Sequence, residues 1–206
     1  MNLLNKKDYS SQKNRLLKAF PTSLINDVET VLEIIPFSEN KVKLDDGNFH
    51  SLSDLIHPSA FEVTLNAETL IIPVRVYFNE PDINDESNLS EIQKVILNCI
   101  FLLHHNGRIR QKRLENLGNK SEYLITPFTI NLYGEYVYEV IEALNKIIDN
   151  GNIQNYREFV IENPETWQRM SNRMVSYWNE YYRRRFPKLK EYIGMEIKNK
   201  ILKSVA

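Results

Sequence analysis

The chain has 206 residues, 42% hydrophobic and 26% charged, with a formal net charge of −1. That balance supports a self-sufficient core, excludes wholesale disorder and argues against a general nucleic-acid binder. One cysteine, Cys99, excludes an internal disulfide framework and a cysteine-clustered zinc site.

Residues Met1–Asp8 lack the apolar core of a secretory signal. The longest apolar stretch, Val95–Leu103, contains Asn98 and is about half of what a bilayer requires, so a cytoplasmic protein without membrane contact is expected. Abundant Asn, Lys, Ile and Tyr fit an AT-rich, bacterial-type coding sequence. Charge is unevenly placed. Residues 1–103 carry nine Lys/Arg against fifteen Asp/Glu, a net −6, whereas residues 104–206 carry seventeen against twelve, a net +5. Such a split either marks a polar interaction surface or draws the two halves together, and the second reading is preferred.

In chain order, Thr22 or Ser23 is placed to cap a helix to about Ile35, with Leu24, Val28, Val31, Leu32 and Ile35 on its apolar stripe and Pro36 as its stop. Lys41–Leu44 alternates like a half-buried strand, and Asp45-Asp46-Gly47-Asn48 supplies hairpin chemistry. Phe61–Leu65 alternates again, Asn66-Ala67 turns the chain, and Thr69–Phe78 reads as the best strand, with Pro73 confining it to an edge or a kink. The acidic connector Glu80–Asn88 reads as a solvated loop and the one credible boundary.

Beyond it the period is helical. Ser87 or Asn88 caps a helix through Leu103, and Asn106-Gly107 reads as its stop. A basic helix then spans Arg108–Leu117 and ends at Gly118. Thr126-Pro127 opens a helix to about Ile148 that contains Gly134, which costs about 1 kcal/mol relative to alanine unless something packs closely there. After Asp149–Asn152 comes a short helix over about Gln154–Glu162. Asn163-Pro164-Glu165 then starts a helix whose Trp167, Met170, Met174, Tyr177 and Tyr181 face inward, with Trp178 and Tyr182 widening the apolar face. Pro187 breaks it, and a last helix carries Leu189, Tyr192, Ile193, Ile197 and Ile201. The expected fold class is α+β: a small antiparallel sheet with a flanking helix over 1–84, then a bundle of about five helices over 85–206, packed as one globular unit.

No phosphate-binding glycine pattern and no G-x-S-x-G elbow occurs among the six glycines. Cys99 lies on a buried stripe, out of line with His104, and reads as structural. His50 and His57 have no carboxylates at ligand spacing, and His104 and His105 are adjacent, so no metal and no cofactor is expected. His104, His105 and Asn106 form a possible polar cluster, the imidazoles being accounted for by the dipole of the preceding helix end. Glu135, Glu139 and Glu142 share one helix face and read as solvated.

The basic clusters carry most of the functional expectation. Arg108, Arg110, Lys112 and Arg113 form one compact segment. Arg183, Arg184 and Arg185 follow Trp178, Tyr181 and Tyr182, and arginine beside aromatics binds phosphate, stacks on bases or anchors protein interfaces. These residues, with Trp178 and Tyr182, are the candidate partner-binding set. The leading expectation is a non-enzymatic interaction protein of immunity or adaptor type with a protein partner. A nucleic-acid binder using the arginines is the alternative, and a hydrolase or transferase with dispersed groups around His104, His105 or Glu135 is the second.

Overall fold

The computed structural model describes residues 9–39, 41–44 and 47–203; Met1–Asp8 and the expected turn residues Asp45 and Asp46 lie outside the described residues. Helix α1 (Ser10–Leu17) precedes a 3₁₀ turn at Thr22–Leu24 and helix α2 (Ile25–Ile34). Neither Thr22 nor Ser23 caps α2 with its side chain; the Thr22 backbone N–H instead donates to Glu68 Oε1 at 2.8 Å. Strands β1 (Lys41–Lys43) and β2 (Phe49–Ser51) pair antiparallel, Lys41 opposite Ser51. Strands β3 (Ala60–Leu65) and β4 (Glu68–Pro73) form a second hairpin, Leu65 opposite Glu68. Its turn residues Asn66 and Ala67 both have positive φ, 51° and 65°, as a tight hairpin turn demands. The expected single sheet is thus two separate ribbons. The long strand expected over Thr69–Phe78 stops at Pro73, which has no N–H to continue a ladder. Past it, Val76 alone bridges Ile56 on one side and His104 on the other.

The acidic connector is more than a loop, because it folds into helix α3 (Ile83–Ser87), whose N-cap Asp82 accepts the Asn84 N–H at 2.8 Å. Helix α4 (Glu91–Phe101) is capped by Ser90 rather than Ser87 or Asn88. Ser90 Oγ accepts the Gln93 N–H and the Gln93 side chain accepts the Ser90 N–H, a reciprocal box that fixes the start. Every residue from Val95 to His104 is buried, so beyond its exposed first turn α4 runs through the core without a solvent face. Asn106-Gly107 does not stop it. Asn106 instead caps helix α5 (Gly107–Leu117), its Oδ1 accepting the Arg108 N–H at 2.9 Å, and α5 ends at Gly118 with φ 54°.

The helix expected over 126–148 is two helices, α6 (Thr126–Tyr133) and α7 (Tyr138–Ile147), broken at Gly134. Helix α9 (Pro164–Tyr177) packs against that glycine so closely that a Cβ there would lie 3.2 Å from Met170 Sδ and 3.3 Å from Arg173 Cβ. All eight residues of α6 are buried. Helices α8 (Ile153–Glu162) and α10 (Ile193–Leu202) close the molecule around it. Asn163, expected as the cap of α9, has another use. Its Oδ1 accepts the Thr64 N–H at 2.7 Å and its Nδ2 donates to the Thr64 carbonyl at 2.8 Å, so one side chain extends β3 as a strand partner would. One cluster of buried apolar side chains runs from Leu16 to Ile201, and the molecule is α+β and mostly helical. No described helix is long and apolar enough to cross a membrane.

Candidate binding surface at the end of helix α9

The two arginine clusters have opposite fates. On α5, Arg113 is 1% exposed and its five N–H donors meet five acceptor contacts: Glu80 Oε1 from Nε (2.9 Å) and Nη2 (2.6 Å), Glu86 from Nη1 (2.6 Å) and Nη2 (3.0 Å), and Asn98 Oδ1 from Nη1 (3.4 Å). Its guanidinium also lies 4.8 Å over the Phe101 ring. Burial pushes the Glu80 carboxyl up, yet hydrogen bonds from Lys112 and Arg113 hold it below its ordinary value. Lys112 is exposed and reaches Glu80 at 3.1 Å. The acidic connector is therefore clamped to α5, and the opposite charges of the two halves meet inside one chain.

Arg110 is equally buried. Its Nη1 donates to the carbonyls of His104 (2.6 Å) and His105 (2.8 Å), and its Nη2 pairs with Glu135 at 2.9 Å. Glu135 was expected on a solvated face with Glu139 and Glu142. It lies instead in the α6–α7 link, 2% exposed, held by Arg110, by Arg75 at 3.2 Å and by the Tyr136 N–H at 3.0 Å. Glu139 and Glu142 are exposed. The His104 ring is buried, accepting the Asn106 N–H at Nδ1 (3.0 Å), which assigns the proton to Nε2 for donation to the Phe78 carbonyl (3.1 Å). Burial, then the neighbouring His105, lowers its pKa to about 3, so His104 is a neutral structural imidazole and not a cation answering a helix dipole. His105 stacks on Tyr77 at 5.5 Å. His104, His105, Asn106, Arg110 and Glu135 do converge, but into a joint in which the Arg110 guanidinium is already bound to the His104 and His105 carbonyls and to Glu135. Of this cluster only Arg108 and Lys112 stay exposed.

The second cluster remains outside. Beyond Tyr177 the helix relaxes into a π turn, Trp178–Tyr182, which inserts one residue relative to an α-helix. The apolar stripe shifts by that residue. Trp167, Met170 and Met174 are buried as expected, but Tyr181 is turned out, 59% exposed, and Tyr182 takes the inner position, stacked on Tyr192 at 5.6 Å. Two hydrogen bonds hold this turn: Trp178 Nε1 to the Phe186 carbonyl at 2.9 Å, and the Tyr182 hydroxyl to the Tyr136 carbonyl. Burial raises the Tyr182 phenol above its ordinary pKa, which keeps it a donor.

Arg183, Arg184 and Arg185 follow, all exposed. Arg185 lies 4.6 Å over Tyr138 and 5.1 Å over Phe186, and Arg183 lies 5.8 Å over Trp178 while donating to Asn179 Oδ1 at 3.0 Å. Among the described residues none of the three pairs with a carboxylate. Two rings outside the expected set join them. Tyr136, 42% exposed, and Tyr181 lie 6.1 Å apart, each also about as close to Tyr177, over which Arg173 sits at 5.9 Å. The legible signal for this larger patch was local charge: residues 166–190 hold seven Lys/Arg and one Asp/Glu.

Elsewhere, Cys99 is buried and burial pushes its thiol well up, which leaves it unreactive. Among the described residues no group of three or more His, Cys, Asp or Glu is arranged to hold a metal ion, His50 and His57 included. No family model, no curated protein and no solved structure matches the chain.

Proposed function

We propose that this chain is a non-enzymatic binding protein that engages a negatively charged macromolecular partner through the arginine–tyrosine surface at the end of α9. The observation that carries this reading is the contrast in pairing. Arg110 and Arg113 are neutralised by Glu135, Glu80 and Glu86 of the same chain, whereas Arg183, Arg184 and Arg185 face solvent and meet no carboxylate among the described residues. The interaction role expected from the sequence rested on both clusters and now rests on this one.

Pre-organisation supports it. Guanidiniums already held against Tyr138, Phe186 and Trp178 lose little side-chain freedom on binding, and arginine beside aromatic rings is the composition of binding hot spots. A π turn, rare in ordinary helices and frequent at functional sites, is what turns Tyr181 outward beside them. The test is capture from native lysate at low salt with the wild-type chain and with a double variant, Arg183→Glu with Arg184→Glu, whose folding is checked by thermal melting. A stoichiometric partner held by wild type, released by added salt and missed by the variant is expected. Repeated recovery of no partner at low salt would overturn the reading.

A further inference from the structure

We infer that the partner of this surface is single-stranded nucleic acid, its phosphates held by Arg169, Arg173, Arg183 and Arg184 and its bases stacked on Tyr136 and Tyr181. This inference rests on the binding reading above and names the partner's class. Three observations favour it over an acidic protein.

The first is the local field. Residues 166–190 carry seven Lys/Arg against one Asp/Glu, a net +6 within a chain of net −1. Cations concentrated along one helix are the electrostatic footprint of a polyanion site whatever the total charge. The second is shape. Two open depressions succeed each other along α9, one lined by Gln168, Arg169, Asn172 and Arg173, the next by Asn179, Tyr181, Arg183 and Arg184. From Gln168 to Arg184 the helix advances about 24 Å, enough to run beside a short strand of roughly four nucleotides. Donor side chains line it throughout, with Glu165 and Glu180 its only acids.

The third is what the surface lacks. A protein interface centres on a desolvated apolar cluster. Among the described residues the exposed aliphatic side chains Ile25, Ile83, Ile161 and Leu202 all belong to other elements, and the large side chains this face offers to solvent are the rings of Tyr136 and Tyr181. A phenol ring flanked by guanidiniums is a stacking platform for a base whose phosphates the cations neutralise, and every base has a face to stack, so binding should tolerate sequence.

The test is fluorescence anisotropy of the full chain with oligonucleotides of roughly 12 nucleotides, one arm oligo-dT, one oligo-rU and one the duplex of the same length. Single strands should bind at about 50 mM salt, with an affinity that falls as salt rises on a log–log slope of about −2 to −3. Arg184→Ala should flatten that slope by about 0.7, whereas Tyr181→Ala should weaken binding roughly ten-fold and leave the slope unchanged. Preference for one single strand over the other assigns DNA or RNA. No anisotropy change in either single-strand arm, or binding to the duplex alone, overturns the inference. If oligonucleotides fail while nuclease-treated lysate still yields a salt-sensitive protein partner, the binding reading stands and its nucleic-acid form falls. If both fail, both fall.

Discussion

The α5 and α9 arginine clusters look alike in the sequence, four cations within six residues on α5 and three in a row after α9, yet the fold gives them opposite surroundings. At α5 the fold brings three carboxylates to two guanidiniums, so the charges become internal fastenings: Arg113 joins the acidic connector to the bundle, and Arg110 joins the end of α4 to the α6–α7 link. At α9 the neighbours are rings rather than acids, and rings position a guanidinium without neutralising it. What separates a neutralised arginine from an exposed one is therefore the company the tertiary fold supplies, which local sequence does not state.

The largest effects expected from breaking that contrast lie at α5. Arg110→Ala strands two carbonyls and deprives a carboxylate that is 2% exposed of its closest cation, leaving Glu135 with Arg75 and the Tyr136 N–H. Removing one partner of a buried pair costs about 3–5 kcal/mol, read as a fall in the chemical-denaturation midpoint at constant slope. Arg113→Ala should fall at the lower end of that range, because Glu80 and Glu86 retain 27% and 25% exposure and water recovers part of the loss. For a chain of this size a loss of about 4 kcal/mol lowers the melting temperature by roughly 10 °C.

The same joint gives the protein an acid-sensitive side. His104 is neutral when folded, with its pKa lowered to about 3, and takes up a proton on unfolding near the ordinary value of 6.5. The unfolded chain therefore binds more protons below that value, and the contribution of His104 to stability, complete above 6.5, is lost as pH falls toward 3. Over most of that interval the slope approaches about 1.4 kcal/mol per pH unit. Glu80, whose folded pKa is lowered, contributes with the same sign, but only where pH drops below its ordinary 4.5. Urea melts between pH 6.5 and 4.5 isolate the histidine, and His104→Gln should flatten that segment and reduce the slope below it to the share the carboxylates supply.

Gly134 sharpens the contrast at the boundary between the two regions, since it separates buried α6 from the link carrying Glu135 and Tyr136. A methyl group there would stand 3.2 Å from Met170 Sδ and 3.4 Å from the Met170 carbonyl, so Met170 and its turn of α9 would have to give by a few tenths of an ångström. Gly134→Ala should cost about 1–3 kcal/mol, as overpacking does, against the gain of about 1 kcal/mol it would give in a free helix. A melt that shows stabilisation would sink this account of why the glycine breaks the helix.

Class and the starts of α5, α6, α8 and α9 were legible because periodicity, proline and glycine act within a few positions. The α8 pattern, the Asn66-Ala67 turn and the buried face of α4 follow from such local rules. The failures share a cause. Asn163 has a cap's identity, but Thr64, ninety-nine residues away, offers it a strand edge. Gly134 reads as a tolerated helix interior until α9 packs on it. Tyr181 fits an inward stripe under an α-period, and the π turn changes the period just before it. In the site, Arg183 to Arg185, Trp178 and Tyr182 were visible as composition and Arg169 and Arg173 as local charge on the same helix, while Tyr136 joins them only through the close packing of α6 and α9.

The smallest expected stability effect is the one that separates the clusters most cleanly. Arg184 is exposed and has neither a carboxylate nor a ring beside it among the described residues, so no favourable contact is lost when it is shortened. Arg184→Ala should change unfolding free energy by no more than about 0.5 kcal/mol, and the removal of one charge from a crowded cationic turn acts in the stabilising direction. Raising salt should shrink even that difference by screening the repulsion among Arg183, Arg184 and Arg185. A loss of about 2 kcal/mol or more on a denaturation curve would mean that Arg184 has a hidden partner in the folded chain. The α9 cluster would then be a fastening of the same kind as Arg110 and Arg113.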